Sequence, residues 1–301
     1  MNPQTHQFCN LDSIIEFINS LNKIQAPTDH EEMLINHIIG LLREQYFPFV
    51  EITPKLYLNV PPLLVGNPES RYIIVTHCDR KQENSSPLSV YNTSIRTVEG
   101  KLDNTVSLAV CLKLLLEMKP KNTSLLITTS EESKLFPQVE GLTNLQETGG
   151  RGFISFLEDY QKYLKDKYFI CVDVRPLDRG RVRFKSTKRY MNLGDGLVLR
   201  TKEKRGNTVL INANQVLLNT IKACANRNNI NLVEYEGSGI TELGRGWERM
   251  LKPKDCLQDD YKIAWVQPPI THYHTKNEQM SYNDILSLSK IVQCLIATFD
   301  I

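Results

Sequence analysis

Apolar positions recur at helical spacing in some stretches and fill whole strand-length runs in others, and the two patterns alternate along the chain. Polar Asn10-Leu-Asp-Ser precedes the apolar spacing of Ile14 to Leu21 and predicts a first helix. Thr28 lies three residues before Glu31, a capping-box spacing that predicts a second helix. Met33, Ile35, Ile38, Ile39, Leu41 and Leu42 supply its apolar side, and a turn at Pro48 ends it. Short strands are expected around 49–53, 56–60 and 62–66. Tyr72 to Thr76 is an unbroken apolar run, as suits a central strand covered on both faces. Residues 80–101 are polar and read as loop with at most a weak hairpin.

Asn104 to Met118 is helical, with Val106, Val110, Leu114 and Leu115 toward the core. A strand at 124–129, an irregular stretch at 133–148, a helix at 152–164 and a strand at 167–172 come next. Then come a β-rich part (181–211), a helix (215–226), a strand (231–235), a Gly-rich loop (237–246), a strand (262–266) and a last helix beginning near Asn283. No internal repeat or low-complexity linker interrupts the order. Strands alternating with helices predict one α/β domain over 1–301, with a mostly parallel (mixed) sheet sandwiched by helices.

Polar residues collect just past the strands: His77 and Asp79, Glu131 and Glu132, and Asp173. Sites of open α/β sheets lie outside the carboxyl ends of the strands. A hydrolytic pair of divalent metals needs imidazole and carboxylate ligands, one carboxylate able to bridge, an open position for water and a base beside it. His77, Glu131, Glu132 and Asp173 supply such groups, Asp103 sits where a loop reaches the same edge, and His272 and His274 both lie beyond the 262–266 strand. Asp79, two residues past His77, suits a carboxylate that accepts the free N–H of a ligating imidazole. Singly, these residues have plainer readings. A strand-end histidine is often structural, a Glu-Glu pair is often surface charge, and Asp103-Asn104 is a helix cap by type. Their joint order at successive strand ends is what points to chemistry.

Composition narrows the field. The 301 residues are 41% hydrophobic and 23% charged, enough for a sizeable core. A net charge of +2 predicts no nucleic-acid partner and no attraction to an anionic membrane. The basic stretch from Arg175 to Arg189 reads as a solvated hairpin face, or as a rim for acidic substrates. Seven cysteines without a C-x-x-C pair, several in apolar segments, predict reduced, buried thiols and a cytoplasmic protein. No secretory pattern opens the chain, and no run of 18 apolar residues predicts a membrane span. A nucleotide-binding reading lacks both a G-x-G-x-x-G and a Walker motif after the first clear parallel strand. Trp265 reads as core.

The order His77-Cys-Asp79, Lys101-Leu-Asp103-Asn104, Glu131-Glu132, Asp173 and His274-Thr-Lys-Asn-Glu278 resembles the co-catalytic zinc peptidase clan. The chain is most similar there to the glutamyl/deblocking aminopeptidase family, with the bacterial leucyl aminopeptidases next. Lys101-Leu-Asp-Asn resembles the family's Leu-Asp-Asp-Arg turn, and Pro269 to Glu278 resembles its Pro-x-Arg-Tyr-x-His-Thr-Pro-x-Glu segment. The resemblance runs from about Asp29 to the end. It implies a zinc-aminopeptidase-like three-layer architecture. It also implies one ion on His77 and Asp173, another on Glu132 and His274 (rather than His272), Asp103 bridging, and Glu131 as general base on the water between them. Zinc is the first expectation, with cobalt or manganese also suited to the ligands.

The chain departs from the family pattern in three places. Residues 78–102 read as a short loop where relatives carry an inserted β-domain, which favours a monomer or small homo-oligomer. Gln146-Glu147-Thr-Gly-Gly-Arg-Gly competes with the Glu131-Glu132 assignment and makes Glu147 the fallback. Gly239-Ile-Thr-Glu-Leu-Gly-Arg replaces the family's Gly-Thr-Asp-Ala loop, which offers Glu242 for a substrate α-amine and Arg245 for a carboxylate. The expected function is cleavage of N-terminal peptide bonds. A metal-dependent carboxypeptidase or N-deacylase acting on acyl-amino acids, and a catalytically silent metal-binding protein of the same fold, are the alternatives.

Overall fold

Two amphipathic helices, α1 (Leu11–Asn22) and α2 (Glu32–Glu44), open the computed structural model. It describes residues 10–53, 58–81, 88–92, 96–132, 150–160, 166–178, 182, 189–205, 208–238, 241 and 262–300. Asn10 caps α1 by accepting the Asp12 N–H at 3.0 Å. The capping box expected on α2 does not form. Thr28 Oγ1 donates to the Arg80 carbonyl at 3.2 Å, and Glu31 is buried instead. Met33, expected on the apolar side of α2, is 61% exposed, while Leu34, Ile35, Ile38, Ile39 and Leu42 are buried.

β1 (Phe49–Glu51), β2 (Leu63–Val65) and β3 (Tyr72–His77) come next. Of the strand expected at 56–60, the described residues 58–60 belong to no strand, although Leu58 and Val60 are buried. The interval expected as loop with at most a weak hairpin holds an antiparallel hairpin, β4 (Ser89–Asn92) and β5 (Arg96–Gly100). Beyond it lie α3 (Thr105–Met118), β6 (Thr123–Thr128), α4 (Arg151–Tyr160), β7 (Tyr168–Val172) and the two-residue β8 (Arg175–Pro176). β9 (Leu197–Arg205), β10 (Thr208–Asn212), α5 (Gln215–Arg227) and β11 (Leu232–Ser238) build the far side. β12 (Ile263–Gln267), β13 (Pro269–Ile270), β14 (Glu278–Ser281) and α6 (Tyr282–Phe299) complete the chain. β14 adds to β5, so the hairpin belongs to a three-stranded second sheet.

The main sheet is mixed and runs β1-β2-β6-β3-β7-β12-β9-β10, with β11 on the other edge of β9. Its middle, β6-β3-β7-β12, is parallel throughout. Successive residues of these strands alternate between two cores. Ile74, Leu125, Ile127, Ile170, Val172 and Val266 join the helices α1, α2, α3, α5 and α6. Ile73, Val75, Leu126, Phe169 and Trp265 face α4 through Phe153, Phe156 and Leu157. The result is the anticipated helix–sheet–helix sandwich. Trp265 is fully buried, its Nε1 donating to Thr241 Oγ1 at 3.1 Å.

Two expectations about side chains meet exceptions. Cys224 on α5 and Cys294 on α6 form a disulfide, with Cα atoms 5.7 Å apart. They lie 70 residues apart in sequence, and only the packing of the two helices brings them together. Cys78, Cys111 and Cys171 are free and buried. Of the basic stretch from Arg175 to Arg189, Arg189 is exposed, residues 179–181 and 183–188 lie outside the described residues, and Arg175 departs from the expected solvated face. It is buried, 4.3 Å over the Tyr235 ring, and donates to the Tyr235 hydroxyl at 2.9 Å. No helix among the described residues is long and apolar enough to cross a membrane.

Gly152 presses the start of α4 against the end of β6. A Cβ there would lie 2.5 Å from the Thr129 carbonyl oxygen and 2.6 Å from its nitrogen, both backbone atoms that cannot step aside. Gly152→Ala is expected to destabilise the fold by about 1–3 kcal/mol. Urea unfolding checks this, and a midpoint equal to that of the parent would show that the helix shifts freely.

Candidate metal centre

β6, β3, β7 and β12 are parallel neighbours, so their carboxyl ends open on one edge of the sheet. His77 is the last residue of β3, Glu131 and Glu132 lie just past β6, and Asp173 lies just past β7. His274 lies between β13 and β14, and Asp103 precedes α3. These residues form two groups that share Asp103: His77, Asp103 and Asp173, and Asp103, Glu132 and His274. Within each group the candidate ligand atoms lie within 4.8 Å of one another. His77 Nε2 is 3.3 Å from Asp103 Oδ1 and 3.6 Å from Asp173 Oδ1. His274 Nε2 is 3.3 Å from Asp103 Oδ2 and 2.8 Å from Glu132 Oε1.

Two atoms each about 2.1 Å from a tetrahedral ion lie about 3.4 Å apart, so most of these spacings fit a shared cation. Asp103 Oδ1 is buried and accepts no well-aligned hydrogen bond among the described residues. The donor set, imidazole and carboxylate, suits a divalent metal.

Three further buried carboxylates hold the loops that carry the ligands. Asp79 Oδ1 lies 3.2 Å from His77 Nδ1, and its two oxygens accept the N–H groups of Glu131 (3.1 Å) and Glu132 (2.9 Å). Glu31 Oε1 accepts the N–H groups of Asp29 and Ser130 at 3.1 and 2.9 Å. Glu278 accepts those of Leu102 (2.7 Å), Asp103 (3.0 Å) and His274 (2.8 Å). Ser130 and His274 are left-handed, with φ of 55° and 60°. Such backbone persists where the surroundings over-determine it, and in both residues a buried glutamate holds the N–H.

Asn104 does not cap α3 with its side chain. Its Nδ2 donates to Thr76 Oγ1 at 2.8 Å and to the Val172 carbonyl at 2.9 Å, tying the helix start to β3 and β7. His272 is exposed and belongs to neither group. Glu147, Glu242 and Arg245 lie outside the described residues.

Three site residues escape sequence reasoning. Lys81 Nζ is 2.6 Å from Glu132 Oε2 and 2.9 Å from His274 Nδ1. Tyr273 stacks on His274 at 3.6 Å and donates to Glu132 Oε1 at 3.5 Å. Glu31, by its spacing from Thr28, reads as part of a helix cap. Only Tyr273, beside a candidate ligand, carries a signal in the sequence.

No protein-family model matches the chain, and no curated protein sequence matches it. Solved structures do match in fold. A TET aminopeptidase from a marine-sediment Thaumarchaeota archaeon superposes with TM-score 0.66 at 14% identity, covering 95% of this chain and 97% of that one. The Pyrococcus horikoshii TET1 peptidase, which assembles into a tetrahedron or a large octahedral shell, gives 0.62 at 14%, covering 94% and 98%. An M18-family aminopeptidase of Thermotoga maritima gives 0.60 at 10%, covering 97% and 99%. The chain has the fold of these aminopeptidases.

Charge in this aminopeptidase-like fold is concentrated at the strand ends. Burial alone would lower the pKa of both imidazoles. The carboxylates of Asp103, Asp173 and Asp79 outweigh it at His77, as Asp103 and Glu132 do at His274, and both are raised. Burial opposes the ionised forms of Asp103 and Glu132, yet both are lowered, by His274 and His77 at Asp103 and by His274 and Lys81 at Glu132. Asp173 is raised by burial. The Tyr273 hydroxyl is raised by burial and then by Asp103, Glu132, Asp173 and Glu131.

Glu31 is pushed up to about 8 by burial and by the Asp79 charge, and Glu278 to about 7 by burial and by Asp103. A raised carboxyl contributes its stability in full below its ordinary pKa and loses it as pH rises through the folded value. Metal-free protein is therefore expected to lose stability between about pH 5 and about pH 8. Glu31→Gln, which keeps the shape and removes the charge, should flatten that decline. Urea midpoints measured across the range in chelator check it, and an equally steep decline in the variant would refute it.

Proposed function

We propose that this protein is a metal-dependent aminopeptidase that cleaves residues from the N-termini of peptides. The carrying observation is one buried aspartate, Asp103, shared between two imidazole–carboxylate groups at the edge where the parallel strands end. His77, Asp103 and Asp173 would hold one divalent ion, and Asp103, Glu132 and His274 the other. Zinc is the first candidate, and cobalt or manganese suit the same donors. When bound, such ions supply Lewis acidity that makes water a nucleophile near neutral pH and polarises the scissile carbonyl.

The chain's own residues do the rest. Asp79 faces Nδ1 of His77, which leaves the Nε2 lone pair toward Asp103 and Asp173. Asp79 also fixes the backbone of Glu131, so that carboxylate projects from a rigid turn. Glu131 takes the proton of the attacking water and passes it to the leaving amine. We assign Glu242 to the substrate α-amine and Arg245 to a substrate carboxylate. A monomer or small homo-oligomer is the proposed assembly, since the β4–β5 hairpin pairs with β14 of its own chain.

Metal-loaded protein is expected to hydrolyse peptides with free and C-amidated ends and to spare N-acetylated ones. Glu131→Gln should lower kcat by about 10²–10⁴-fold with metal content unchanged. Asp103→Ala should lose most of the metal, read by elemental analysis. Cleavage of N-acetylated but not C-amidated peptides would move the reading to a carboxypeptidase or deacylase. Retained metal with no hydrolysis of any peptide or acyl-amide would make it a silent binding protein.

A further inference from the structure

A cleft of about 220 Å³ opens beside the candidate centre, and Asp103 and His274 form part of its wall. Three cations, Arg80, Lys81 and Lys101, line it too, together with Glu278. Glu278 turns its oxygens to the N–H groups of Leu102, Asp103 and His274. Arg80 is 3% exposed, and among the described residues its guanidinium donates to carbonyl groups, which bear no net charge: Leu21 and Ile24 at 2.9 Å and Asn22 at 3.4 Å. Its buried Nε has no hydrogen-bond partner among the described residues. Lys101 is buried as well.

Lys81 is the cation that meets the candidate ligands. Its Nζ lies 2.6 Å from Glu132 Oε2 and 2.9 Å from His274 Nδ1, and its side chain is 29% exposed. Once Glu132 and His274 serve an ion, the ammonium has positive charge on that side, and repulsion between like charges favours an anion in the cleft. Of the anions that a peptidase acting at N-termini meets, the α-carboxylate of a dipeptide is the nearest to the bond it cuts. It sits on the very next residue, whose Cα is about 3.8 Å away. An ammonium in contact with a candidate ligand suits that short span. The size of the cleft agrees, because pockets for drug-sized ligands run to about 300–1,000 Å³ and this one has room only for a chain end.

Resting on the aminopeptidase reading above, we propose that this cleft receives the free α-carboxylate of a dipeptide, with Lys81 as the specificity-determining contact, and that dipeptides are the preferred substrates. Lys81 meets the carboxylate, and Arg80 and Lys101 add positive charge behind it. Water adds across the single peptide bond, and two free amino acids leave.

The test measures kcat/KM of the metal-loaded, full-length protein on alanyl-alanine, its C-terminal amide and trialanine. Alanyl-alanine should exceed the amide by on the order of 10–100-fold, mainly through KM, as one charge-assisted hydrogen bond allows. Trialanine, whose carboxylate lies one residue farther on, should behave like the amide. Each comparison is a ratio on one enzyme, so a change in metal content cancels. Lys81→Met should bring the dipeptide-to-amide ratio close to one, and Lys81→Arg should keep most of it. Calorimetry on metal-loaded Glu131→Gln reads the same preference as binding without turnover. Alanyl-alanine should bind more tightly than its amide there, and adding Lys81→Met should remove the difference. Equal rates on alanyl-alanine and its amide, trialanine cleaved as fast as the dipeptide, or a ratio that survives Lys81→Met overturns the proposal and leaves the aminopeptidase reading standing. A binding preference without hydrolysis removes that reading and keeps the carboxylate site. Protein that neither binds nor cleaves any of the three removes both.

Discussion

Buried carboxylates accepting backbone N–H groups hold the candidate centre in shape. Asp79, Glu31 and Glu278 between them fix seven such groups, on Glu131, Glu132, Asp29, Ser130, Leu102, Asp103 and His274. Each carboxyl group is costly to bury, and each is tolerated because its oxygens accept from loop donors that have no ladder to join. Through these bonds, loops from distant parts of the chain keep the candidate ligands in one small volume. Three of them also hold left-handed residues, Asp29, Ser130 and His274, in place.

That arrangement has an electrostatic consequence. Asp103, Glu132 and Asp173 meet at one edge with Glu131 close by, and Glu31, Asp79 and Glu278 lie next to them. Among the described residues, His77, His274 and Lys81 face the candidate carboxylates directly. A pocket this rich in carboxylate favours cations strongly, because in a low-dielectric surrounding like charges raise one another's pKa values. Lys81 belongs to the same balance. Its amine lies 2.6 Å from Glu132 Oε2 and 2.9 Å from His274 Nδ1.

The architecture explains why these residues meet. Parallel strands in adjacent positions bring their carboxyl ends to one edge, and the side chains just beyond β3, β6 and β7 arrive there together. Asn104 ties the start of α3 to β3 and β7, which carries Asp103 to that edge although it lies on no strand. His274 arrives from a turn between two short strands, one of which, β14, belongs to the second sheet. That sheet, two of whose strands come from residues that read as loop with at most a weak hairpin, therefore supports the centre.

Periodicity determined most of what lies in the core. Helices and strands with continuous or regularly spaced apolar residues appear where their pattern predicts them, because burial of those residues is what forms the element. Strand-end polar residues were legible for the same reason: once the strands are parallel, the residues just past them share an edge. Only the tertiary structure decided features that depend on partners far away in sequence. The β4–β5 hairpin is completed by β14, the Cys224–Cys294 pair spans 70 residues, and the capping box of α2 gave way because Ser130 needed Glu31. Lys81 is the clearest case. Beside Asp79 it is one more charged loop residue, and nothing local marks it. It gains meaning only where the fold sets its amine against Glu132 and His274, 51 and 193 residues away, because contact between charges depends on distance in space and not on spacing along the chain.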